Sequence, residues 1–448
     1  MQSRYDNALN ESLTEEKIMS RKFFLLIIIL TAGLFVGCAT LDKALAPLPT
    51  LPPTLALPTE IPNTVTPWPT AVDSPTPTIS PTPRPTRTKL PTATASATVP
   101  PITRVQPDNF PDNINPLTGY PPSDPALLER RPIAVKIPNY PHSVRQNQAG
   151  LSLADNVFEY HLEEGLTRFI AIFYGNDAER VGPIRSGRIF DVHIVKMYNA
   201  VYVFNGAYQE IDNAALDVYG YLVENLNKNL FVVDPGECKP YMCRDESIND
   251  YNNLFGNTHE ISNLVTERGT GNERPDLVTN AFYSIGNYGN DWAMQVYVNY
   301  SYANYAYWEY DLNTGRYLRY QGSADNLHNN PQYDLLIDNL NGQPVAADNV
   351  IVLFVPHEFF YKSDTSEIFD IKLTDQGDAY VFRDGKANPA VWVRTDENKP
   401  LTIQDTAGNL FPLKPGVTFF QVLTTDSTYI EDNSIWTFDF VRPTPPPE

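Results

Sequence analysis

The stretch from Ala46 to Gln106 constrains this 448-residue chain more than any other. It is built from Pro and Thr with interspersed Ala, Ser and Leu, in runs such as Ser74-Pro75-Thr76-Pro77-Thr78 and Pro81-Thr82-Pro83-Arg84-Pro85-Thr86. Proline fixes φ and has no N–H to donate, so such a stretch builds neither helix nor sheet ladder. Residues 39–108 therefore read as a disordered, extended stalk. Its Pro/Thr part, roughly 60 residues at about 3.1 Å each, would reach ~190 Å. The dense Thr is also compatible with O-glycosylation. A folded core must lie after the stalk, and the tail Pro443-Thr444-Pro445-Pro446-Pro447 repeats the bias in miniature.

What precedes the stalk is a signal. Arg21-Lys22 leads into the apolar run Phe23 to Leu30, which continues to Cys38. A charged start followed by a short apolar segment defines a signal peptide. At roughly 15 residues the run is short for a bilayer core of about 30 Å. Phe35-Val36-Gly37-Cys38 resembles a lipobox, with Phe where Leu is commoner. Residues 1–38 thus read as a signal peptide whose Cys38 thiol carries lipid. This predicts a chain anchored to the outer face of the cytoplasmic membrane, with its partner the membrane itself. Residues 1–18 are polar and include Glu11, Glu15 and Glu16, so Met19 is the expected start.

The formal charge is −20, from 53 acidic and 33 basic residues. An acidic chain of this kind is a poor partner for nucleic acid or for an anionic membrane surface. Beyond Cys38 two cysteines remain, in Cys238-Lys239-Pro240-Tyr241-Met242-Cys243. In an oxidising compartment a close pair in a Pro-containing turn reads as a disulfide. Zinc fits less well, because no second Cys or His pair stands at ligand spacing.

The globular part predicts an α/β (α+β) fold in two subdomains. In the first, 109–288, strands are expected at Arg131–Ile137, Thr167–Tyr174 and Ala200–Phe204. Ala154–Tyr160 reads as either a helix turn or a strand, and helices are expected at Phe190–Met197, Glu210–Tyr219 and near Ile261–Glu267. Strands alternating with helices indicate a mixed sandwich. The second subdomain, 289–430, reads as mostly antiparallel β. Its strands include Gln295–Tyr300, Tyr305–Tyr310, Arg316–Tyr320, Val350–Val355, Ala379–Arg383 and Val417–Val422. Asp384-Gly385 and Ala407-Gly408-Asn409 are turn signals. Residues 431–448 read as a tail.

Several motifs then resemble the YerB-like lipoproteins, a family of unknown function. They include Asn115-Pro116-Leu117-Thr118-Gly119, Ala154-Asp155-Asn156-Val157-Phe158-Glu159 and Arg180-Val181-Gly182-Pro183-Ile184-Arg185-Ser186-Gly187-Arg188. Trp308-Glu309-Tyr310-Asp311 and Arg383-Asp384-Gly385-Lys386 extend the likeness into the second half. The resemblance spans about 115 to 425 and implies an exported lipoprotein of two fused subdomains, without an established activity. The chain departs from the pattern at Glu164, where Gly is expected, and at Phe204 and Tyr208, where His and Ser are expected.

Two groups of residues are candidates for chemistry. Glu159, His161 and Glu163 would share one face of a strand. Paired carboxylates can divide acid and base roles, as in glycan hydrolysis. Glu-x-His-x-Glu also allows a metal site, and a solvated edge is the plainest alternative. The second group is basic. Arg168 opens a strand, and Arg180, Arg185 and Arg188, with Ser186, flank the Gly182-Pro183 turn leading into the helix from Ile189. Guanidinium groups near a helix N-terminus suit an anionic group. Internal pairing with Asp155, Glu159, Glu163 or Asp191 is the alternative. Asn139, Gln148, Asp155 and Thr167 complete the candidate polar set. The Tyr-rich strands at 297–310 read as sugar-stacking or as ordinary cross-strand packing. No Gly-x-Ser-x-Gly, phosphate loop, zincin motif or catalytic Cys motif is present, so no metal or cofactor is expected. Binding of an anionic envelope ligand, cell-wall glycan or envelope protein is favoured over catalysis by Glu159 and Glu163.

Overall fold

The structure is a computed structural model that describes residues 104–444, apart from 211–212, 214–215, 287–288 and 364–365. Cys38 and residues 39–103 of the expected stalk lie outside the described residues.

The runs with the highest β-propensity form the central sheet. Ile133–Pro138 (β1), Asn156–His161 (β2), Thr167–Phe173 (β3), Val201–Val203 (β4) and Phe231–Val232 (β5) supply one half of it. The ambiguous segment 154–160 is therefore strand. The spatial order of this ten-stranded sheet runs Thr402–Asp405, Lys386–Arg394, Asp375–Arg383, Asn349–Val355, Thr418–Thr424, β2, β3, β1, β4, β5. Thr418–Thr424 runs parallel to both Asn349–Val355 and β2. The boundary expected at 288 therefore does not separate two sheets, because both halves of the chain contribute to this one. The apolar run at 418–423 is buried on both faces, and a central position beside β2 is how it buries them.

Each face of the sheet carries its own core. On one face Phe158, Tyr160, Ile170 and Ile172 pack against helix Asp191–Tyr198 (α1) through Ile194, Val195 and Tyr198, and against helix Val218–Asn225 (α2) through Leu222. On the other, Val135, Phe169 and Phe419 meet Val296, Trp308 and Phe438 of a second sheet. That sheet orders Tyr333–Leu335, Arg316–Gly322, Tyr305–Asp311, Gln295–Asn299, Ile435–Asp439 and Thr428–Asp432, with Ala346–Ala347 pairing Arg316–Gly322. Helix Thr258–Glu267 (α3) joins this side through Ile261 and Val265.

Two expectations need correction. Of the helix placed at Glu210–Tyr219, where 211–212 and 214–215 lie outside the described residues, only Val218 and Tyr219 are helical among the described ones; they open the helix Val218–Asn225, where Asp217 accepts a hydrogen bond from Gly220 N (2.9 Å) and so caps the first turn. The tail placed at 431–448 contains strand Ile435–Asp439, paired parallel with Gln295–Asn299. Its alternation buries Trp436 and Phe438, and each large side chain so buried contributes about 1.5–3 kcal/mol. Tyrosines of the Tyr-rich strands stack on one another across the sheet. Tyr307 lies 4.9 Å from Tyr297 and 4.7 Å from Tyr320, with rings near parallel.

Candidate functional site

β-strand alternation sends neighbouring residues of β1, β2 and β3 to opposite faces, so the polar residues divide into two networks. Glu159 follows Val157 toward the second sheet. It is 1% exposed, accepts from Asn139 Nδ2 (2.8 Å) and Thr167 Oγ1 (2.8 Å), and forms an ion pair with Arg319 Nη2 (2.7 Å). Arg319 also donates to Gln321 Oε1 (2.6 Å). Gln148 holds the adjoining turn by donating to the Pro138 carbonyl (2.6 Å).

Tyr160 points the other way. Here Lys136, fully buried, pairs with Asp191 Oδ1 (2.9 Å) and donates to the Tyr160 hydroxyl. Asp191 also accepts from Tyr160 and Tyr202 (2.5 Å each) and from the Arg188 backbone N–H (2.8 Å). Burial pushes the Lys136 ammonium down to about 7; Asp191 opposes the shift and Arg168 adds to it. Burial likewise lowers Arg168 to about 9, with Arg188 adding to the effect. Arg168 donates to the Ser186 carbonyl (2.6 Å) and has no carboxylate in ion-pair contact among the described residues. Three cations, Lys136, Arg168 and Arg188, are thus answered by Glu163 and Asp191, and the charge of Arg185 also bears on Arg168. Arg185 itself lies over the Tyr251 ring at 4.5 Å.

The loop 185–188 is fixed by backbone. Arg185 N donates to the Lys136 carbonyl (3.0 Å), and Ser186 Oγ donates to the Asn205 carbonyl (3.2 Å). A Cβ on Gly187 would stand 2.6 Å from the Tyr202 hydroxyl, so only glycine lets this loop close over the tyrosine.

Glu163 lies beyond the end of β2, in the turn before β3, and pairs with Arg188 in a two-point contact, Nε to Oε2 at 3.1 Å and Nη2 to Oε1. Burial pushes its carboxyl up, but the charge and hydrogen bonds of Arg188 outweigh this and hold it below its ordinary range. The pair lines a cleft of about 380 Å³ whose apolar wall includes Leu162, Ile189, Phe190 and Phe369. Lys362 and Arg442 also line it, both paired with Glu367. Glu164, standing where glycine is expected, adopts φ 55°, a left-handed conformation that explains why glycine suits the position.

Of the face expected to carry Glu159, His161 and Glu163, the first two lie two residues apart within β2 and share it, whereas Glu163 falls beyond the end of the strand. Glu159 and Glu163 are held by arginines in different networks, Arg319 and Arg188. His161 accepts from Gly165 N (3.2 Å) and packs on Phe440; burial lowers its pKa to about 3. Of the internal pairings considered, Arg188 with Glu163 forms. Asp155 lies elsewhere: it accepts from Asn115 Nδ2 and from the Tyr174 and Gly175 amides, and burial raises it to about 6 against those bonds. Cys238 and Cys243 form a disulfide. Sequence reasoning missed Lys136, Tyr160, Tyr202 and Arg319. The lone Lys within Ile133–Ile137 was the available signal for the first.

Family models described as "Protein of unknown function (DUF3048)" match residues 117–271 with their N-terminal domain and 296–420 with their C-terminal domain. A Bacillus subtilis (strain 168) protein described as "Putative lipoprotein YerB" is 26% identical over 335 residues, covering 71% of this chain and 89% of its own. The crystal structure of YerB protein from Bacillus subtilis superposes with a TM-score of 0.56 at 23% identity. It covers 70% of this chain and 97% of that one, and so shares the fold.

Proposed function

The chain belongs to this YerB-like family of unknown function, and from that membership we propose a lipoprotein, lipid-anchored through Cys38 outside the cytoplasmic membrane, that captures an anionic group of an envelope ligand. The likeness to a protein described as a lipoprotein supports the anchoring. The observation that carries the binding role is Arg168. It is half-buried, sits among Lys136, Arg185 and Arg188, and answers to a neutral carbonyl instead of a carboxylate. A phosphate or carboxylate arriving there would supply the missing negative charge and accept paired hydrogen bonds from the guanidinium. The adjoining cleft offers apolar wall for the rest of the ligand. Glycan hydrolysis gains no support, since both carboxylates it would need are held by arginines and point to different networks.

Calorimetric titration of the purified protein with poly(glycerol phosphate), against an uncharged polyglycerol, tests this reading. The charged polymer binds and the neutral one does not. Arg168→Gln weakens binding about tenfold or more, the loss expected of one charged hydrogen-bonding group. Equal binding by wild type and variant rejects the site. Separately, Cys38→Ser should move the protein from the membrane fraction to the soluble fraction; retention at the membrane rejects the anchor.

A further inference from the structure

His161 carries a hydrogen that no described residue receives. Its Nε2 accepts from Gly165 N (3.2 Å), so that nitrogen is unprotonated, the ring is neutral and Nδ1 bears the hydrogen. Nδ1 has no partner among the described residues, and His161 is 1% exposed. The rings packed on it, Phe369 at 5.2 Å and Phe440 at 4.7 Å, offer no oxygen or nitrogen. The carboxylates whose charges act on it, Glu367 and Glu163, are already engaged. Glu163 is held by Arg188, and Glu367 accepts from Lys362, Arg442 and the Glu164 backbone N–H.

His161 lines the cleft of about 380 Å³ together with Leu162, Ile189, Phe190, Val218 and Phe369. Arg188 lines the same cleft. A ligand entering it meets a guanidinium, an apolar wall, and one neutral donor set in that wall. Filling the cleft shields the donor from water, so a ligand without an acceptor of its own strands that donor and loses affinity. A bare polyol phosphate leaves the apolar wall unused, and a plain hydrocarbon tail leaves His161 unmet. An acyl ester is the simplest group that puts a carbonyl acceptor at the head of an apolar chain. We propose that His161 is a specificity-determining donor and that the ligand is an acylated phosphate. Its phosphate meets the arginines, its ester carbonyl accepts from His161 Nδ1, and its chain lies on the apolar wall. This rests on the anionic reading of the site and names the ligand class within it.

Calorimetric titration of the purified protein with octanoyl glycerol phosphate, its octyl ether analogue and glycerol phosphate, each below its micelle-forming concentration, tests it. The ester should bind about tenfold or more tighter than glycerol phosphate, because its chain is buried. It should bind about fivefold tighter than the ether, which lacks the carbonyl. His161→Phe, which keeps a ring against Phe440 but has no donor, should erase the ester–ether difference and retain the gain from the chain. Glycerol phosphate binding as tightly as the ester overturns the proposal. So does equal binding of ester and ether by the wild-type protein, a comparison that needs no variant to fold. Either result leaves the capture of poly(glycerol phosphate) standing. Absence of binding by every phosphate, the polymer included, overturns the anionic reading and the proposal with it.

Discussion

Strands β1, β2 and β3 carry a polar network on each face, and the two differ in how they are closed. Between the sheets, Glu159 and Arg319 are shut away together, their side chains 2% and 0% exposed. On the helix side, Glu163 and Arg188 are 31% and 20% exposed and border a cleft. The same chemical pair therefore has two consequences. An enclosed pair must be complete, because an uncompensated charge there has no water to turn to. A pair at a cleft can exchange partners with an incoming ligand. This also explains why a surplus cation, Arg168, is tolerated on the open side.

Breaking the enclosed pair should have the largest effect. Arg319→Met leaves Glu159 charged and alone, and should lower unfolding stability by about 3–5 kcal/mol in denaturant titration. Adding Glu159→Leu should recover most of that loss. A single-variant cost below about 1 kcal/mol would mean the pair is not closed as described.

A pH test separates the networks next. Lys136 is held at about 7 in the folded state, below the value of about 10.4 for an unfolded chain. The folded protein thus binds fewer protons between those values, and Lys136 contributes stability that grows as pH rises from about 7 toward 10. Lys136→Met should remove that rise. Identical pH profiles for the two proteins would show that Lys136 is not buried in the way the geometry has it.

The smallest effect on stability is expected at the open pair. Glu163→Gln should cost about 1 kcal/mol or less, as partly exposed ion pairs do, while strengthening the capture of poly(glycerol phosphate) by freeing Arg188. Weaker polymer binding in that variant would place Glu163, not the arginines, in contact with the ligand.

Much of the scaffold was legible in sequence because it rests on local pattern. The Gln295–Asn299 and Tyr305–Asp311 strands alternate, Asn349–Val355 is apolar throughout, and Asp384-Gly385 turns the chain where expected. The parallel placement of Thr418–Thr424 beside β2 was not legible, since a continuous apolar run gives length but no neighbour. Nor was the hairpin ending at Asp439, where only Trp436 and Phe438 face the core. The polar site was half visible. Loop residues Arg185, Ser186 and Arg188 fall within one motif. The partner of Glu159, however, is 160 residues away, and Asp191 meets Lys136 and Tyr202 only through sheet and helix packing. Alternation also misled: Glu159 and Glu163 share a face only if β2 continues, and it ends at His161.

The division between a closed and an open network is tested most directly by hydrogen exchange of the purified protein with and without saturating poly(glycerol phosphate). Slower exchange is predicted over residues 185–191 and 162–168, with no change over 304–321. Protection confined to 304–321, or none on the helix-side segments despite saturation, would contradict it.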